Sequence, residues 1–107
     1  MIDREQAEKA LEFLADTDEE YAEAKVEVER AQFLLKRRES HAFLSSSGNN
    51  PERQAQAKDR IEVLEAEKLV TKHMVKYERL KAQRESARLR WEHFRSLLSA
   101  RKQGMDV

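Results

Sequence analysis

Residues 59–103 read DRIEVLEAEKLVTKHMVKYERLKAQRESARLRWEHFRSLLSARKQ, a run without proline or glycine. Within it Val63, Ala66, Val70, His73, Tyr77, Leu80, Arg84, Ala87, Trp91, Phe94 and Leu98 recur at alternating steps of three and four. Only His73 and Arg84 break that stripe. A period near 3.5 residues keeps one face of a helix against a partner helix, which is the seam of a coiled coil. A helix lying on a globular core carries a broader stripe. At about 1.5 Å per residue, the helix expected over residues 59–103 is roughly 65 Å long.

The partner lies upstream. Tyr21, Ala24, Val28, Ala31, Leu35, Arg38 and Ala42 repeat the same alternation. Between the two stripes, Ser45-Ser46-Ser47-Gly48-Asn49-Asn50-Pro51 is the one Gly/Ser/Asn/Pro cluster and reads as a hairpin loop. Asn50 before Pro51 resembles a helix start, with Asn as cap and Pro at the first position. The apolar pattern from Gln54 to Lys58 is weak, so the long helix is expected from Asp59 and the loop spans 45–58. Gly104 supplies the C-terminal stop.

At the N-terminus, Asp3 with Gln6 three residues on matches a capping box and opens a helix over about 4–15, with Ala7, Leu11 and Leu14 on one face. Asp16-Thr17-Asp18 interrupts it. Thr17-Asp18-Glu19-Glu20 reads as a second capping box, with acids on a first turn where the helix dipole favours them. Helices are thus expected over about 4–15, 18–44 and 59–103 of a single domain, 1–107. Folding at the Ser/Gly/Asn loop sets Ala42 against Val63, Leu35 against Val70, Val28 against Tyr77, and Tyr21 near Arg84. Leu14 then meets Trp91, Leu11 meets Phe94 and Ala7 meets Leu98. The expected fold is all-α: an antiparallel coiled-coil helical hairpin with a short N-terminal helix packed on the long C-terminal helix.

Composition agrees. The 107 residues include 21 Lys+Arg and 21 Asp+Glu, with 39% hydrophobic residues, two Gly, one Pro and no Cys. Strong helix formers dominate, and the apolar share is too high for a disordered tail. Apolar runs reach only three residues, as at Phe33–Leu35, so neither a membrane span nor a secretory signal is expected. Without cysteine there is no disulfide framework, thiol nucleophile or Cys-ligated metal. A cytoplasmic protein without membrane contact is the expectation.

No nucleotide-binding glycine motif, HExxH or nucleophile elbow occurs. His41, His73 and His93 are far apart and do not converge in the hairpin. Glu62, Glu65 and Glu67 read as a solvated acidic patch. No catalytic residue, cofactor or metal is expected.

Charge is segregated. Residues 1–29 hold eleven acids and three bases, whereas 79–107 hold eight bases and three acids. The reading favoured is intramolecular charge matching that fixes the antiparallel pairing. The alternative is a nucleic-acid face made of Arg79, Arg88, Arg90, Arg95, Arg101 and Lys102. Arg38 and Arg84 sit on the seam, where a polar residue can specify register. Arg84 is expected to reach Glu20 or the Tyr21 ring, and Trp91 and Phe94 to pack in the core. A second apolar set lies off the seam: Val26, Phe33 and Phe13 upstream, and Val75, Ala82, Leu89 and Leu97 downstream. Val26, Phe33, Val75, Ala82 and Leu89 are read as a self-association face, which makes the protein a homodimer.

The segments Leu14–Ala22, Tyr77–Ala87, Arg95-Ser96-Leu97 and Ala100–Gly104 carry a resemblance to a group of small helical-hairpin proteins of tailed bacteriophages and prophages. It spans about residues 14–104. A Trp-Arg-Ser run common near the end of that group is replaced here by Phe94-Arg95-Ser96, with Trp91 one turn earlier. The resemblance implies a phage or prophage accessory role, in the host cytoplasm, beside DNA replication and recombination functions; it implies no mechanism. The function expected is therefore that of a non-enzymatic helical interaction protein with a protein partner. A direct nucleic-acid binder is the alternative.

Overall fold

The computed structural model describes residues 3–104, with helices α1 (Arg4–Leu44), α2 (Asn50–Lys58) and α3 (Ile61–Lys102). No strand occurs among the described residues. The start of α1 is the expected capping box: Asp3 Oδ1 accepts from the Gln6 N–H at 2.8 Å, and Gln6 Oε1 accepts from the Asp3 N–H at 3.3 Å.

Helix α1 then runs unbroken through Thr17, which corrects the division into helices over 4–15 and 18–44. Thr17 is not a cap. Its side chain faces inward, 9% exposed, and its hydroxyl donates to the Phe13 carbonyl at 2.7 Å. It stands three residues after Leu14 and four before Tyr21, so the three-four alternation passes straight through the polar triplet. The stripe upstream also differs by one residue: Ala7 and Ala10 are buried, whereas Leu11 is 44% exposed. There is no separate N-terminal helix; the N-terminal part of α1 packs on α3.

The expected 45–58 loop contains helix α2. Asn49, one residue earlier than the sequence suggested, is the cap: its side-chain oxygen accepts from the Glu52 N–H at 3.0 Å, and Pro51 follows in the first turn. One residue of this helix, Ala57, joins the core, and its neighbours Arg53 and Gln56 make polar contacts, which is why its pattern reads weakly. Gln56 Nε2 donates to the Ser47 carbonyl at 3.0 Å, and Arg53 Nε donates to the Gly48 carbonyl at 3.1 Å. The Arg53 guanidinium also lies 5.8 Å from the Phe43 ring centroid. Gly48 takes φ +104°, a backbone region costly for any residue with a Cβ. At the other end of the chain, Gly104 takes φ +75° where α3 stops.

The chain divides into two compact units, each built from part of α1 packed on part of α3. In the loop unit, Glu23–Tyr77, the core is Ala42, Ala57 and Val63, with Leu35 and Phe43 packed against it. Ala24, Ala31 and Ala66 are buried beside half-buried Val28, Val70, His73 and Tyr77, while Arg38 is exposed. In the terminal unit, Met1–Ala22 with Glu78–Val107, the buried residues are Ala7, Ala10 and Thr17 of α1 and Leu80, Ala87 and Phe94 of α3. Leu14, Tyr21, Arg84, Trp91 and Leu98 are half-buried. Every α3 position named from the sequence as seam is buried or half-buried.

Contacts across the seam run about one turn away from the pairing read from the sequence. Arg84 bonds Leu14, Thr17 and Asp18 as well as touching Tyr21, so its contacts centre on Thr17. In the loop unit His73 meets Glu27, where the earlier pairing set Tyr77 against Val28. Stepping outward from Thr17 and Arg84 sets small against large: Leu14 by Ala87, Ala10 by Trp91, and Ala7 by Phe94.

Candidate functional site

The most organised polar cluster is centred on Arg84 in the terminal unit. Its side chain is only 17% exposed. Nη1 donates to the Leu14 carbonyl at 2.8 Å and to Thr17 Oγ1 at 2.7 Å, and Nη2 donates to Asp18 Oδ1 at 2.6 Å. The guanidinium carbon stands 4.9 Å from the Tyr21 ring centroid. The expected Tyr21 contact is therefore present, while the carboxylate is Asp18 and not Glu20. The signal that would have found Thr17 and Asp18 is the spacing itself, since Thr17 falls on the seam once Ala10 replaces Leu11. A planar, permanently charged fork with all its near neighbours supplied by α1 ties one α3 position to one α1 turn. These contacts are positional: a carbonyl, a hydroxyl and a carboxylate of α1 hold the guanidinium in one place.

The basic residues of α3 are distributed around the helix. Arg88 is held by its own helix, with Nη1 2.6 Å from Glu92 Oε1 and Nη2 bonded to Glu85 Oε1. The Arg88 hydrogen bond, joined by the positive charges of Arg88 and Lys81, holds the Glu85 carboxyl below the ordinary carboxylate range; Glu85 and Glu92 in turn raise Arg88. Arg79, Arg90, Arg95, Arg101 and Lys102 are exposed and make no ion pair among the described residues. Arg90 edges an open groove of about 860 Å³ past Ala10, Phe13 and Ala87.

The off-seam apolar residues lie opposite the seam. Val26 stands midway between Ala24 and Val28, and Phe33 between Ala31 and Leu35, each roughly 200° of helix from both neighbours. Val75, Ala82 and Leu89 stand likewise between successive α3 seam residues. All five lie on the faces turned away from the seam, with Phe33 63%, Leu89 54%, Val75 50% and Val26 42% exposed and Ala82 exposed as well. In the loop unit the far face of α1, with Val26 and Phe33, and the far face of α3, with Val75, point in opposite directions. One two-fold contact cannot cover both, so the five do not form a single face.

Trp91 and Phe94 lie side by side on α3, with ring centroids 6.2 Å apart and planes at 37°. His73 Nε2 is 3.9 Å from a Glu27 carboxylate oxygen, while His41 and His93 are exposed. Among the described residues no group of three or more His, Asp or Glu is arranged to hold a metal ion, and no helix is long and apolar enough to cross a membrane. No protein-family model matches the chain, and neither a curated protein nor a solved structure does.

Proposed function

We propose that this chain is a non-enzymatic helical interaction module. It is an antiparallel coiled-coil hairpin whose seam is satisfied internally and whose outer faces dock partners, a second copy first among them. The observation that carries this reading is the contrast on α3. Ala87 and Phe94 are 4% and 8% exposed, while Leu89 between them is 54% exposed on the opposite side. A large apolar side chain held in water at a seven-residue repeat with Val75 and Ala82 favours association. Alanine-floored open grooves do not desolvate a reacting group, which disfavours catalysis. The resemblance to phage and prophage hairpin proteins supports an accessory role in phage DNA replication or recombination, in the host cytoplasm.

Sedimentation equilibrium at micromolar concentration tests the reading. The unmodified chain is expected as a dimer of the 12.6 kDa protomer, and Leu89→Glu as a monomer of undiminished helicity. A monomeric unmodified chain contradicts it.

A second reading, direct nucleic-acid binding, is favoured by one observation: Arg79, Arg90, Arg95, Arg101 and Lys102 are exposed and make no ion pair among the described residues. Phosphate contacts make affinity fall steeply with salt. Binding of duplex DNA at low salt that vanishes in Arg90→Ala/Arg95→Ala supports that reading, and its absence at low salt removes it.

A further inference from the structure

We draw no further inference here: the strongest candidate, the open groove between α1 and α3 of the terminal unit lined by Ala10, Phe13, Ala87 and Arg90, carries nothing because nothing in the structure shows what covers it.

Discussion

In the loop unit the helices are joined through Ala42, Ala57 and Val63, whose methyl groups leave no polar atom to satisfy. In the terminal unit the corresponding place is taken by Arg84, which bonds a carbonyl, a hydroxyl and a carboxylate of α1. Both close the seam, but they specify different things. Methyl contacts are non-directional, and a slip by one turn would replace them with other small apolar contacts. A guanidinium fork has one set of partners and loses all of them on a slip. The apolar layer carries stability; the polar layer carries register.

Truncations should separate the two roles. The largest loss is expected for Phe94→Ala, 8% exposed at the edge of the terminal unit, at roughly 3–5 kcal/mol by denaturant titration. Leu35→Ala in the loop unit should follow at roughly 2–4 kcal/mol, whereas exposed Lys72→Ala should cost less than about 0.5 kcal/mol. Equal effects at Leu35 and Lys72 would dissolve the distinction between seam and surface.

Arg84 sharpens the comparison. Arg84→Ala leaves the Thr17 hydroxyl without its donor and should cost about 1–3 kcal/mol. Arg84→Leu should recover most of that by filling the space with apolar atoms, because a partly exposed ion pair contributes little by itself. Its deficit should appear instead as more than one register, read as doubled amide resonances near Thr17 by NMR. A single sharp set in Arg84→Leu would assign register to the alanine spacing alone.

These contrasts also explain what the sequence could reveal. The α3 stripe from Val63 to Leu98 was legible residue by residue, because its period depends only on neighbours along the chain. Thr17 was not. Thr-Asp-Glu-Glu satisfies a capping box locally, and the group that turns the threonine inward is Arg84, far along the chain. Helix α2 was hidden for a related reason: its contacts run from Gln56 and Arg53 to the Ser47 and Gly48 backbone, which no apolar period reports. The Arg84–Tyr21 contact was legible because both residues interrupt or edge the seam. The facing direction of Val26, Phe33, Val75, Ala82 and Leu89 was available from spacing, since each lies midway between two seam residues.

A smaller effect than at the seam should come from the turn that feeds α2. Gly48→Ala places a Cβ at φ +104°, where it also meets the Glu52 side chain, and should cost about 1 kcal/mol or slightly more. The loss should show in thermal unfolding of the loop unit. Fluorescence of Trp91, in the terminal unit, should keep its emission maximum in the folded variant. A red shift of Trp91 in Gly48→Ala would contradict a loss confined to the loop unit.

Cysteine cross-linking tests the register most directly, because the chain contains no cysteine of its own. With Thr17 opposite Arg84, the next seam layer sets Leu14 opposite Ala87. Leu14→Cys/Ala87→Cys should therefore oxidise rapidly to an intramolecular disulfide, whereas Leu14→Cys/Trp91→Cys, one turn further on, should stay reduced under the same conditions. Fast closure of Leu14→Cys/Trp91→Cys with no closure of Leu14→Cys/Ala87→Cys would contradict the pairing of α1 with α3 described above.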